Sequence, residues 1–374
     1  MSPSAASARL PRQPLRLEPL PAEPLVSVLT PNFNYGRYLP ETIESVLAQT
    51  YSRWELIFCD DGSTDGSYEI VERYARLDPR IKLLRQANAG QAAALNTAYR
   101  SCSGTVLCIL DADDRFHPTK LARVVERFTE RSDTGLLVHA MTLVDGDGKA
   151  LYRIPILGAF EEGWIAERVR QRGGRWRYMP SSALVFRREL AKIGFPIPAR
   201  PLRVGADGFL FTLFPLFTKT TYLPEELSAY RIHGSNICGR LGVDAAAARS
   251  GAALMTQIVE AVNERLAEME LTESLRVRDN LHISLELLVA HLLEGKPRGE
   301  LVRSYAKAVR DIVADDLYGV RQKLLMPVLF GCATVMPHRW RRGWLNLAIS
   351  AGALKRAVVR LVTGWTVERT CGAG

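Results

Sequence analysis

The chain has 374 residues, 47% of them apolar and 24% charged, and a net charge of +9. Such a length suggests about two or three domains, and the apolar share suffices for real cores, which excludes a disordered or low-complexity protein. The six cysteines (Cys59, Cys102, Cys108, Cys238, Cys332 and Cys371) form no CxxC pair and no His/Cys cluster, so neither a disulfide framework nor a structural zinc is indicated and a reducing compartment is expected.

The charge is concentrated at one end. From Arg321 onward nine cations stand against Glu368 alone, so this tail carries +8 of the +9. A nearly neutral body with a basic end is not a nucleic-acid signature, and no nucleic-acid partner is expected. Six prolines between Pro3 and Pro24 predict an extended, mobile leader over residues 1–24. Its cations Arg9, Arg12 and Arg16 accompany no apolar stretch of signal-peptide length, so the expected location is cytoplasmic.

In chain order, Val26 to Leu29 reads as a buried strand, followed by a helical spacing of Leu39, Ile43, Val46 and Leu47. Trp54 to Cys59 is a second strand, with Ile70, Val71, Tyr74 and Leu77 marking the next helix. Ile81 to Leu84, an Ala-rich helix from Gly90 to Arg100, and a strand from Thr105 to Leu110 continue the alternation. A helix after Pro118 carries Leu121, Val124, Val125 and Phe128 on one face. Gly135 to Asp145 predicts another strand, and Asp145-Gly146-Asp147-Gly148 a hairpin turn rather than a calcium loop, because the downstream Glu and flanking helices are missing. The expected class is α/β, a mostly parallel sheet flanked by helices over residues 25–240. A helical appendage follows over 241–320, with Leu281, Leu285, Leu288, Val289 and Leu292 in one stripe, and then a basic amphipathic tail over 321–374.

In such sheets ligands sit beyond the carboxyl ends of the strands. There the second strand ends in Asp60-Asp61-Gly62-Ser63-Thr64-Asp65 and the fourth in Asp111-Ala112-Asp113-Asp114. Turn or cap chemistry explains either alone. Three carboxylates within four residues, however, repel one another unless a cation offsets them, and hard divalent ions combine one or two carboxylates with phosphate oxygens. No GxGxxG and no GxxxxGK[ST] is present, so a diphosphate would be held through a metal rather than by a glycine-rich helix start.

Five motifs in order carry a resemblance. They are Pro31-Asn32-Phe33-Asn34; Ser45-Val46-Leu47-Ala48-Gln49-Thr50-Tyr51; Asp60 to Asp65; Asn88-Ala89-Gly90 with Ala94-Leu95-Asn96; and Asp111 to Asp114. Together they resemble the signature of family 2 glycosyltransferases, inverting enzymes of the GT-A fold, over about residues 25–236. The resemblance implies a nucleotide-sugar donor, UDP-linked, and a Mn²⁺ or Mg²⁺ ion. It places Pro31, Phe33, Asp61, Asn88 and Gln91 on the nucleotide side, Asp111 at the ribose and Asp113 on the metal, with Asp114 able to share that work. It implies a glycan or lipid-linked acceptor in cell-surface polysaccharide or glycoconjugate synthesis.

An inverting transfer needs one general base at the acceptor hydroxyl. Pro180 to Arg188 resembles the acceptor-side strand, and Asp207 in Gly205-Ala206-Asp207-Gly208-Phe209-Leu210 is the candidate base, ahead of an apolar run; the competing reading is a helix cap. Gly208 departs from the bulky residue that commonly follows this Asp in the family. His233 in Tyr230-Arg231-Ile232-His233-Gly234-Ser235-Asn236 resembles the segment returning over the diphosphate and is assigned to metal or phosphate, with Arg231 a weaker phosphate candidate. In the tail, tryptophans and cations from Arg339 to Trp365 suit an anionic membrane surface, which would put the protein peripherally on the inner face of the cell membrane; an ordinary packed tail is the alternative. A nucleotidyltransferase and a binding-only relative are the competing functions. The former should carry a Gly-rich basic loop after the first strand, and intact Asp111, Asp113 and Asp207 argue against the latter.

Overall fold

The computed structural model describes residues 9–154, 160–233 and 244–349. Its parallel half consists of β1 (Val26–Asn32), β2 (Trp54–Asp60), β3 (Ile81–Arg85) and β4 (Val106–Ile109), joined by α1 (Leu39–Leu47), α2 (Ser67–Leu77) and α3 (Gln91–Ser101). The other half is mixed. It holds the short β5 (Arg115–Phe116), then, after α4 (Lys120–Glu130), β6 (Thr134–Val144), β7 (Ala150–Arg153), β8 (Val185–Arg187) and β9 (Lys219–Arg231), with α5 (Ala166–Gln171), α6 (Arg188–Gly194) and α7 (Ala206–Leu213) between the last strands. The sheet order is β3-β2-β1-β4-β8-β6-β9-β5, with β7 beside β6.

β1 and β2 are buried along their whole length because helices cover both faces, and their side chains alternate between two cores. Leu29, Ile57 and Cys59 face the core shared with α3 and α7, whereas Val28, Leu56 and Phe58 face that of α1, α2 and α4. The β6–β7 connection is the hairpin expected at Asp145 to Gly148, closed by Asp145 N–H to Lys149 O and Gly148 N–H to Asp145 O, each 3.0 Å.

Over residues 10–24 the Pro-rich segment, expected to be a mobile leader, lies along the body instead. Leu10 is buried, Leu15 N–H donates to Phe217 O at 2.8 Å, and Leu20 packs on the α1–α2 core. Leucines spaced between the prolines supply the apolar contacts that fix it.

After β9 come α8 (Ala245–Glu268), α9 (Leu281–Glu294), α10 (Arg298–Ala314), α11 (Val320–Val335) and α12 (His338–Ile349). α8 buries Ile258, Val259, Val262 and Leu266 in the same core as Phe209 and Leu210 of α7. α9 to α12 build a separate core around Leu288, Leu292, Leu301, Phe330 and Ala333. Among the described residues no helix is long and apolar enough to cross a membrane. Gly234-Ser235-Asn236 and the part of the basic tail from residue 350 on lie outside the described residues.

Candidate active site

Parallel pairing of β1 with β2 and β4 brings their carboxyl ends to one rim. Two loops form its nucleotide side. Asn34 Oδ1 accepts from Thr64 N–H at 2.8 Å, Ser63 Oγ accepts from Asn34 N–H at 2.9 Å, and Asp65 accepts from Gly36 N–H at 2.8 Å. Asp60, which accepts from Asn32 Nδ2 at 3.1 Å and Ser63 N–H at 3.2 Å, joins Asp65 in holding the loops together. Phe33 is 45% exposed at this rim, while Pro31 is buried within β1.

Asp61 is buried and accepts from Gln86 Nε2 at 2.7 Å, Ala89 N–H at 2.9 Å and Gly90 N–H at 2.8 Å. A carboxylate offers about four acceptor sites, so roughly one remains for a ligand donor. Gly90 stands at φ 94 with Arg203 O only 2.7 Å from where a Cβ would be, so the turn needs glycine twice over. Asn88 Oδ1 accepts from Arg203, and Gln91 Oε1 from Gly205 and Ala206 N–H at 3.1 and 3.2 Å. Gln91 therefore satisfies the first donors of α7, the helix that bears Asp207.

The Asp111–Asp114 turn follows β4, and carboxylate oxygens of Asp111, Asp113 and Asp114 lie within 4.8 Å of one another. The surroundings hold this turn firmly. Thr42 Oγ1 donates to Asp114 O at 2.8 Å, Asp111 N–H donates to Ser182 Oγ at 3.0 Å, and Ser181 donates to the Asp111 carboxylate. Beneath it Lys120, wholly buried, donates to Ser182 O at 2.7 Å, and burial pushes its ammonium down to about 7.

Burial raises all three carboxyls of the turn, and crowding adds to this at Asp111 and Asp114. Burial, then the charges of Asp113 and Asp207, push Asp111 up to about 7; burial, then the charges of Asp113 and Asp111, raise Asp114, and burial raises Asp113 despite His233 and Arg231. Asp114 Oδ2 is buried without a hydrogen-bond partner. Crowded carboxylates with one orphaned oxygen are the donor set of a hard divalent ion, and Mn²⁺ or Mg²⁺ fits them.

His233 Nε2 lies 3.0 Å from Asp113 Oδ2, and its ring stacks on Tyr38 at 4.8 Å and meets Tyr35 edge-on at 5.8 Å. The negative field of the three aspartates adds to burial in raising Tyr35. Arg231, fully buried, donates its Nε–H to Asp113 O at 2.8 Å, its backbone N–H to Asp114 Oδ1 at 2.9 Å, and its Nη2 to Glu41, with its guanidinium carbon 5.0 Å from the Tyr38 ring centroid. Arg231 is thus committed to the acidic turn and does not serve as the phosphate contact expected for it. Arg115 shares Glu41 and donates to Gly148 O at 2.9 Å, which ties the β6–β7 hairpin to the same cluster.

Asp207 sits in the first turn of α7, partly buried, and burial raises its pKa. Its charge is among those that raise Asp111, which puts the two carboxylates within electrostatic reach of each other. Gly208, the departure from the family pattern, has a structural cause. A Cβ there would meet Ile258 Cδ1 of α8 at 2.6 Å, so the appended helix fills the space that a bulky residue would take. Tyr178 stacks on Phe211 at 4.4 Å, four residues on from Asp207 and therefore on its face of α7. The sequence had given no role to Tyr35, Tyr38, Glu41, Ser181 or Tyr178. Only their nearness to the motifs could have marked them.

An acid-rimmed, half-parallel sheet of this order defines a GT-A transferase fold, and solved structures agree. Staphylococcus aureus TarS 1–349, seen with UDP-GlcNAc, superposes with a TM-score of 0.52 at 16% identity, over 86% of this chain and 90% of that one. Residues 27–194 match the model of glycosyl transferase family 2. It is 39% identical over 212 residues to an uncharacterized glycosyltransferase of Nostoc, 56% of this chain and 66% of that protein. It is 32% identical over 136 residues to chondroitin synthase of Escherichia coli, 36% of this chain but only 20% of that protein.

Proposed function

We propose that the protein transfers a sugar from a nucleoside-diphosphate sugar, UDP-linked, to a hydroxyl of a glycan or lipid-linked acceptor, inverting the anomeric centre, in cell-surface polysaccharide synthesis at the inner face of the membrane. One observation carries the reading: the carboxylates of Asp111, Asp113 and Asp114 converge within 4.8 Å of one another at the end of β4, with Asp207 in electrostatic reach of Asp111. The TarS complex and the synthase relative support the donor class and the setting.

In this reading Asp113, with His233 and a neighbouring aspartate, holds a divalent ion, which when bound supplies charge to the leaving diphosphate. The last acceptor site of Asp61 takes the uracil N–H, and Phe33 lies against the base. Asp207 accepts the acceptor's proton as the oxygen attacks, and burial, by raising its pKa, strengthens it as a base. Tyr178 offers an aromatic face to the acceptor sugar.

The test is nucleoside-diphosphate release across a donor panel with Mn²⁺, alongside calorimetric donor binding. Asp207→Asn should bind donor normally and lose transfer; Asp113→Ala should lose metal-dependent donor binding. Normal transfer by Asp207→Asn would overturn the base assignment.

A further inference from the structure

α11 is apolar on both faces. Phe330 and Ala333 are buried in the core of α9 to α12, yet Val320, Leu324, Val328 and Val335 are 74%, 65%, 60% and 77% exposed. Their spacing puts them on one side of the helix, and at the start of α12, five residues past Val335, Trp340 is 57% exposed with the Arg339 guanidinium 5.4 Å from its ring. A helix apolar all round belongs inside a core or against lipid. At 16 residues and containing Pro327, α11 is too short to span a bilayer, which leaves the interfacial plane.

The charge around this face selects the partner. Residues 317–349 hold five cations, Arg321, Lys323, Arg339, Arg341 and Arg342, and no acid. Arg321 and Arg339 are exposed, whereas Arg342 pairs with Asp244 at 3.7 Å. A second copy would set these cations against themselves. Beyond residue 349 the sequence adds Lys355, Arg356, Arg360 and Arg369 against the single Glu368, so this end of the chain is cationic throughout. Anionic phospholipid complements both the apolar stripe and its cationic border.

We infer that α11 and the start of α12 form a membrane-docking face, in which Val320, Leu324, Val328, Val335 and Trp340 enter the headgroup boundary while Arg321 and Arg339 meet lipid phosphates. The face takes its purpose from the proposed lipid-side acceptor and rests on that reading to this extent; lipid binding itself is measured separately. Tryptophan is suited to such a boundary because its ring is apolar and its N–H is wet.

The experiment is flotation of the full chain with phosphatidylcholine vesicles, with and without phosphatidylglycerol, and donor calorimetry on the same samples. The wild type should float only with phosphatidylglycerol and be released by salt. Arg321→Gln/Arg339→Gln should lower partitioning roughly thirtyfold, as expected for two cations at an anionic surface. Leu324→Gln/Val328→Gln, on an exposed face and so compatible with folding, should also detach the protein without changing donor binding. Wild type that fails to float, or both variants floating like wild type, would overturn the inference. So would a concentration-dependent dimer that Leu324→Gln/Val328→Gln disperses, since the face would then belong to a second copy. Loss of donor binding by wild type with intact flotation would instead strike the transferase reading alone.

Discussion

Replacing Arg231 with methionine keeps the volume but removes the guanidinium that ties the acidic turn to α1 and the β6–β7 hairpin. The structure gives the losses: the bonds to Asp113 O at 2.8 Å and Gly146 O at 3.2 Å, the ion pair with Glu41, and the Tyr38 ring contact at 5.0 Å. Breaking a fully buried pair by removing one partner costs about 3–5 kcal/mol; here Glu41 is part-exposed and keeps Arg115, so a smaller loss of about 2 kcal/mol is expected. The backbone N–H to Asp114 survives substitution, so the turn should slacken rather than unfold. Supporting residues of metal ligands typically contribute about 10–100-fold to affinity, and Mn²⁺ binding should weaken by that factor. Urea unfolding gives the first quantity and electron paramagnetic resonance titration of free Mn²⁺ the second. Arg231→Lys should recover part of the stability and less of the metal affinity, because an ammonium cannot reach carbonyl and carboxylate with a planar fork. A methionine variant with wild-type stability and wild-type Mn²⁺ affinity would refute the reasoning.

Gly208→Ala should destabilise by about 1–3 kcal/mol, because its Cβ would lie 2.6 Å from Ile258 Cδ1, and Ile258→Val in the same chain should recover most of that in urea unfolding. Burial alone would raise Glu55, but Lys82, the Ser27 hydroxyl and the Ser103 N–H outweigh it and hold the carboxyl down at about 2. Because the folded value lies below the unfolded one, this stabilisation is complete above the ordinary glutamate range and is lost as pH falls from about 4.5 toward 2. It should total roughly 3 kcal/mol, and Glu55→Gln should flatten that limb of the stability–pH curve. Tyr38→Leu removes the ring stacked on His233 at 4.8 Å, and should weaken Mn²⁺ binding while leaving urea stability within about 2 kcal/mol of wild type.

The parallel half of the sheet was legible because strands covered on both faces read as continuous apolar runs, and because Asp61 and Asp113 directly follow such runs. The mixed half was less so. β5 is two residues long, too short to show a period, and the three-residue β8 adjoins Ser181 and Ser182, whose hydroxyl contacts to Asp111 leave no trace in hydrophobic spacing. Arg231 was a weaker phosphate candidate because its segment resembles the one that returns over the diphosphate; the structure turns its guanidinium inward onto Asp113 O. Gly208 was puzzling for the opposite reason: its partner, Ile258, lies fifty residues on in a helix that carries no family motif. Long-range packing of this kind is set by how α8 lies against α7, which no local pattern encodes.

The central claim is that the aspartates after β4 and the carboxylate on α7 address one diphosphate-linked sugar from opposite sides. Anomalous diffraction at the manganese edge, from crystals grown with Mn²⁺ and an unreactive UDP-sugar, tests it most directly. The expected peak is bounded by Asp113, His233 and the diphosphate, with the anomeric carbon open toward Asp207. A manganese peak away from Asp111, Asp113 and Asp114, or a sugar turned from Asp207, would contradict it.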